Sequence, residues 1–183
     1  VSASTMRGMF AAAARRLATD AGIEPWGTFE LYKRIPQQAG LGGGSSNAAA
    51  ALVLANAAWD LHYSRARLMK LAADLGSDVP FFLADGPALC RGRGEIIEPI
   101  SGLPPLHFVV AKPSGGLSTA DVFGHWKAER AKAADNPTSL DRLLKNLRQG
   151  HLAQASRWML NQLQASAAQL LPAVSDLLGK MHR

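Results

Sequence analysis

Residues 36–48 read Pro-Gln-Gln-Ala-Gly-Leu-Gly-Gly-Gly-Ser-Ser-Asn-Ala, a strand exit, a glycine-rich turn and a helix start in immediate succession. That order suits a phosphate group. A helix N-terminus leaves about four backbone N–H groups unpaired and carries roughly half a positive charge, so an anion placed there gains hydrogen bonds and field together. Gly42, Gly43 and Gly44 let the backbone close round the anion without side-chain obstruction, and the hydroxyls of Ser45 and Ser46 can reach phosphate oxygens or a magnesium ion. Asn47 can contribute similarly. The loop is not of the Walker A type, because no lysine follows the last glycine, nor is it a dinucleotide fingerprint, whose glycines are spaced G-x-G-x-x-G. A plain Gly/Ser-rich surface turn is the alternative, but three consecutive glycines, two serines and an Ala-rich helix are hard to derive from packing alone.

The second candidate is Asp78, a lone carboxylate between a helix end at Gly76 and the apolar run Val79 to Phe82. Desolvation and neighbouring groups can tune such a carboxylate for proton transfer, although an aspartate capping a short turn reads the same way. His62, His107, His125, His151 and His182 show no metal-ligand spacing and are read as structural. The single cysteine, Cys90, excludes an internal disulfide framework and a cysteine-based zinc site, and it fits a reducing, cytoplasmic compartment.

Hydrophobic periodicity supplies the elements that would hold these groups. Met6, Met9, Phe10, Ala13 and Leu17 recur at helical spacing, with a stop at Asp20 to Gly22. Thr28 to Ile35 reads as a strand, since Phe29, Leu31 and Ile35 share one parity, and Pro36 ends it. An Ala-rich helix starts at Ser45. Ser64 caps a second helix with Leu68, Leu71, Ala72 and Leu75 on one stripe and Gly76 at its end. Ala88 to Arg91 and Glu95 to Ile100 read as short strands joined through Gly92 and Gly94, and His107 to Ala111 as a buried strand stopped by Pro113. Ser118 and Asp121 resemble a capping box opening a helix with Val122, Phe123 and Trp126. Beyond Asn136 the pattern is helical throughout, with stripes at Leu140, Leu143, Leu144 and Leu147, at Leu152, Trp158, Leu163 and Leu170, and at Val174, Leu177, Leu178 and Met181. A soft boundary falls near Lys112 to Gly116, giving domains over residues 1–112 and 113–183.

The run Pro36 to Ala50 resembles the second, phosphate-binding motif of the GHMP kinases. Gly76-Ser77-Asp78-Val79-Pro80-Phe81-Phe82 is similar to the G-[AS]-D-V-P-x-F segment of the family's isoprenoid-pathway branch, and Gly92-x-Gly94-Glu95 to the G-x-G-E that follows it. The resemblance covers roughly residues 5–125. It implies an α+β fold of two domains with the active site between them. It also implies transfer of the γ-phosphoryl group of ATP, with Mg2+, to a hydroxyl of a cytidine diphosphate methylerythritol substrate. In that reading Pro36, Gln37, Gln38, Ala39, Gly40, Leu41, Gly42, Gly43, Gly44, Ser45 and Ser46 bind nucleotide, Ser46 touches the metal, and Asp78 assists removal of the hydroxyl proton. Thr119 and Phe123 occupy positions that meet the nucleobase in the family, or else cap a helix and fill the core; Arg93 approaches substrate, or is a solvated hairpin residue. Other GHMP kinases acting on mevalonate, homoserine or a sugar are the first rival, and a truncated, non-catalytic nucleotide-binding relative the second.

The family's N-terminal strand with its lysine, its Gly-Tyr-His segment and its later T-G-S-G motif have no counterpart in these 183 residues, so the expectation is an incomplete version of a longer kinase. The first 18 residues lack acids and contain Arg7, Arg15 and Arg16, which superficially resembles a transit peptide, but helical spacing favours a structural helix and bacterial cytoplasm over plastid. The net charge of +6, from 20 basic and 14 acidic residues, is scattered; it suits an anionic small molecule or a plain solvated surface, with no nucleic-acid motif. No apolar run approaches the roughly 20 residues that cross a bilayer.

Overall fold

The computed structural model of the chain describes residues 8–129 and 137–181. Met6 of the expected first stripe, Arg7, Asn136 and His182 lie outside the described residues. The helices are α1 (Met9–Ala21), α2 (Gly43–Ala58), α3 (Arg65–Leu75), α4 (Thr119–Glu129), α5 (Pro137–Arg148), α6 (Leu152–Ser156), α7 (Gln164–Leu170) and α8 (Pro172–Met181). A one-turn 3₁₀ helix spans Pro80–Leu83, and the strands are β1 (Ala88–Arg91) and β2 (Ile96–Pro99). The chain divides into two compact units, Val1–Pro36 with Leu41–Ser101, and Gln37–Gly40 with Gly102–Arg183.

The first unit is built on small residues. Ala13, Ala14, Leu17 and Ala18 of α1 share one buried cluster with Ala48, Ala49, Ala51, Leu52 and Ala55 of α2, where short side chains let two helices approach closely and bury alanine-lined faces. Leu68, Leu71 and Ala72 of α3 complete that core together with Trp59, Val79 and Leu83. The ends of these helices follow from local chemistry. Ser64 Oγ accepts from the Arg67 N–H at 3.3 Å, satisfying one orphan donor of α3. At the end of α1 the Ile23 N–H donates to the Ala18 carbonyl at 3.1 Å, and Ile23 then packs on the cluster. Between α1 and α3, Arg67 donates to Asp20 at 2.7 Å and Arg16 to Asp74 at 2.9 Å.

Two expected strands are absent. Residues 28–35 are irregular and join no ladder: Phe29 packs edge-on against Phe10 at 5.5 Å and Trp59 at 6.4 Å, while Leu31, Tyr32 and Ile35 are exposed. His107 to Ala111, expected as a buried strand, is irregular, with Phe108, Val109 and Val110 at 75%, 87% and 66% exposure. The physical reason is common to both. Alternation or apolarity makes a segment suited to a ladder, but a strand exists only where a second backbone supplies its hydrogen bonds, and among the described residues none does. The ladder that does form is β1 antiparallel to β2, from Ala88 opposite Pro99 to Arg91 opposite Ile96, so the expected hairpin around Gly92 and Gly94 is present.

In the second unit α4 packs on α7, α5 on α6 and α7 on α8. Among the described residues Val122, Leu147 and Ala155 are its buried apolar ones, and Arg142 stacks over Trp158 at 4.7 Å. The continuous helical reading beyond Asn136 is corrected: the helices break at residues 149–151 and 157–163, after Gly150 takes a left-handed φ of 71°. The predicted stripe of Leu152, Trp158, Leu163 and Leu170 therefore does not exist as one face, and Leu152 is 56% exposed. At α4 only half of the capping box forms, the Asp121 N–H donating to Ser118 Oγ at 3.4 Å. No helix among the described residues is long and apolar enough to cross a membrane.

Candidate active site

The glycine loop ends by opening α2. Gly42 is its N-cap, in a left-handed conformation with φ 65°, and no side chain caps the helix, so the first N–H groups of α2 point out of the helix without a protein partner supplied by a cap. The loop is walled by three apolar side chains. A Cβ at Gly42 would stand 2.6 Å from Phe82 Cζ, one at Gly43 would stand 3.1 Å from Ile35 Cγ2, and one at Gly44 would stand 3.5 Å from Met9 Sδ. Gly42 is thus required by its left-handed backbone and by the Phe82 ring, and Gly43 by the closeness of Ile35, whereas a Cβ at Gly44 would make an ordinary contact with Met9. Ser45 and Ser46 are half-buried in the first turn, and the Ser46 hydroxyl donates to the Gly43 carbonyl at 3.1 Å, leaving its oxygen lone pairs as acceptors.

The Gly76 to Phe82 segment lies against the same wall. Met9 reaches both sides, its Sδ near Gly44 and its Cε 3.3 Å from where a Gly76 Cβ would be, while the Phe82 ring covers Gly42 and meets Phe81 edge-on at 5.3 Å. Val79 is fully buried and its N–H donates to the Gly76 carbonyl at 3.1 Å, which turns the chain and leaves Asp78 on the exposed side. The desolvation expected from the adjoining apolar run therefore falls on Val79 and Pro80, not on Asp78. Ser77 Oγ lies 3.5 Å from Asp78 Oδ1, and a Cβ at Gly94 would stand 3.3 Å from that same oxygen. Cys90 on β1 senses this carboxylate: burial chiefly, and the Asp78 charge in addition, push its thiol above the usual range.

Pro36 belongs to the first unit with Leu41 to Ser46, while Gln37, Gln38, Ala39 and Gly40 belong to the second. There the Gln38 carbonyl accepts from the Leu117 N–H at 3.3 Å, with Gln38 itself in a left-handed conformation of φ 53°. Thr119 is the exposed first residue of α4, and Phe123 one turn on is 41% exposed and meets Trp126 edge-on at 6.0 Å. Arg93 is exposed at the tip of the hairpin. Among the described residues no cluster of His, Cys, Asp and Glu is arranged to hold a metal by itself. Sequence reasoning missed Met9 and Phe82 as site residues. Met9 read as an ordinary apolar position of the first stripe, and Phe82 only as the end of the Gly76 to Phe82 segment, without a partner across the glycine loop.

Residues 7–86 match the family model described as "GHMP kinases N terminal domain". The 4-diphosphocytidyl-2-C-methyl-D-erythritol kinase of Pelotomaculum thermopropionicum is 40% identical over 171 residues, covering 92% of this chain and 58% of that protein. The protein of the same name from Salinispora arenicola is 44% identical over 169 residues, covering 91% of this chain and 54% of its own length. A crystal structure of 4-(cytidine 5'-diphospho)-2C-methyl-D-erythritol kinase superposes with a TM-score of 0.72 at 32% identity, covering 96% of this chain and 62% of the other. The chain thus spans little more than half the length of these relatives. With an exposed phosphate-type loop at a helix start, the Gly76 to Phe82 turn beside it and these matches, residues 7–86 are a GHMP kinase N-terminal domain and the chain has the α+β fold of that family.

Proposed function

We propose that the protein carrying this chain is an ATP-dependent kinase that phosphorylates a hydroxyl of 4-diphosphocytidyl-2-C-methyl-D-erythritol. The observation that carries the reading is the uncapped N-terminus of α2 behind Gly42 to Gly44, packed through Met9 and Phe82 against the turn that exposes Asp78. The loop Pro36 to Ser46 holds the ATP phosphates, its N–H groups and the helix field offsetting their charge. Asp78 accepts the proton as the substrate oxygen bonds to the γ-phosphorus, the bond from that phosphorus to the β–γ bridging oxygen breaks, and ADP leaves. Little covalent chemistry is asked of the protein, so orientation and charge neutralisation carry most of the rate, with the base contributing about 10²–10⁴-fold. Thr119 and Phe123 supply a hydroxyl and a ring face to the cytosine base, and Arg93 a cation to the diphosphate. Residues 1–112 form the nucleotide-binding domain in this reading and residues 113–183 the start of the second.

A magnesium ion fits the donors present, because Mg2+ accepts a single hydroxyl completed by phosphate oxygens and water, and Ser46 Oγ keeps free lone pairs at the helix start. When bound, the ion would neutralise charge on the transferred phosphate.

Asp78→Ala in the protein carrying this chain should lower kcat by about 10²–10⁴-fold with the ATP dissociation constant nearly unchanged. A panel of the cytidylylated substrate, mevalonate, homoserine and galactose tests the acceptor. Unchanged turnover removes Asp78 from the mechanism, and preference for another acceptor overturns the substrate.

A further inference from the structure

The β1–β2 ladder closes at Arg91 opposite Ile96, and four residues, Gly92, Arg93, Gly94 and Glu95, turn the chain. The turn is held from inside: the Gly94 N–H donates to the Arg91 carbonyl at 3.0 Å, and Glu95 Oε2 accepts from the Arg93 N–H at 2.7 Å. The Glu95 carboxylate also lies over Gly92, where a Cβ would stand 2.9 Å from Oε1 and 3.1 Å from Oε2. Hydrogen bonds from its own N–H and from the Arg93 N–H hold that carboxyl below the usual carboxylate range, so it is ionised at neutral pH and the bond is of the stronger, charge-assisted kind.

What this clamp fixes is the face that the tip shows to Asp78. Gly94 sits at φ 119°, and a Cβ there would stand 3.3 Å from Asp78 Oδ1 and 3.5 Å from the Ser77 carbonyl oxygen. Asp78 is exposed, and its hydrogen bond from Ser77 Oγ at 3.5 Å is too long to hold a side chain in one orientation. Lacking a Cβ, Gly94 leaves open the space beside Asp78 Oδ1 that a side chain there would fill, so the path of the turn past this point sets the room left to the carboxylate. The hairpin does not need Glu95 to close, since the ladder and the cross-strand bond from Arg91 Nε to Glu98 Oε1 at 2.7 Å already do that.

We propose that Glu95 is a positioning residue for Asp78: its carboxylate, lying over Gly92 and accepting from the Arg93 N–H, fixes where the Gly94 backbone passes Asp78 and so where that group is held to take a proton. The assignment rests on the phosphoryl-transfer reading. A base must be held within hydrogen-bond reach of its proton, and a misplacement of about 1 Å costs up to roughly 10²-fold in rate.

The test uses Glu95→Ala and Glu95→Gln in the protein carrying this chain, because the glutamine oxygen can still accept from Arg93. Glu95→Ala should lower kcat about tenfold, leave KM for ATP within about twofold, and shift the acid limb of the kcat–pH profile; Glu95→Gln should restore most of the loss. In parallel, the Asp78 side-chain carboxyl is followed by its 13C resonance at about pH 7, a readout that needs no turnover. That resonance should move in Glu95→Ala and return most of the way to its parental position in Glu95→Gln. An unmoved Asp78 resonance with parental kcat overturns the proposal, as do equal losses in both variants that track a fall in thermal midpoint. If the parent protein transfers no phosphate, the kinase reading fails, and the Asp78 resonance alone decides the role of Glu95.

Discussion

Replacing Gly42 with alanine tests the packing of the glycine loop. The residue stands at φ 65°, a left-handed conformation that costs a residue with a Cβ about 1–2 kcal/mol. The new methyl would also meet Phe82 Cζ at 2.6 Å and Cε2 at 3.0 Å, against about 3.5–4.0 Å for relaxed carbon contacts, so the ring must retreat by about 1 Å. Phe82 is 36% exposed and has room to swing, which keeps the crowding near the low end of overpacking costs, about 1 kcal/mol. Together these give about 2–3 kcal/mol, a fall in thermal midpoint of about 4–12 °C for a chain of this size. The assay is thermal unfolding by circular dichroism of Gly42→Ala, Phe82→Ala and the double variant. Removing the ring should recover about 1 kcal/mol of the Gly42 penalty and leave the backbone share in place. A Gly42→Ala protein as stable as the parent, or a penalty identical with and without Phe82, would refute the reasoning.

Leu52→Ala, in the fully buried cluster of α1 and α2, should cost about 2–5 kcal/mol, read as a shift of the urea midpoint at constant slope. Asp20 is held below the ordinary aspartate value of 3.8, first by the hydrogen bond from Arg67 and also by the charges of Arg67 and Arg16, against the opposing effect of burial. Its folded value being the lower, the pair stabilises above 3.8 and that contribution is lost as pH falls through the folded value; Arg67→Ala should raise the Asp20 midpoint toward 3.8 in an NMR titration. Asp78→Asn should speed iodoacetamide alkylation of Cys90 at pH 8.5, because one of the two causes that raise its thiol is removed.

Helices whose ends are written in local chemistry were legible from sequence: Ser64 caps α3 as its side chain and spacing require, and the Leu68, Leu71 and Ala72 stripe is the buried one. The Gly92 and Gly94 hairpin was equally legible because both strands lie within one short stretch. Thr28 to Ile35 and His107 to Ala111 were misread because a strand is a property of two backbones, and periodicity reports only one of them. The broken helices after Gly150 failed for a related reason, since apolar residues recur there at nearly helical spacing while single glycines and short caps decide where each turn ends. At the site, the glycine loop and the Gly76 to Phe82 turn stood out by composition and by order. Their junction through Met9 and Phe82 did not, because contacts 30 to 70 residues apart leave no trace in local spacing.

The most direct measurement is 31P NMR of the protein carrying this chain with ATP, magnesium and 4-diphosphocytidyl-2-C-methyl-D-erythritol. A new phosphomonoester resonance on the substrate, appearing in step with ADP, is the result the account predicts. Bound ATP with neither product, or ADP released with inorganic phosphate alone, would contradict it.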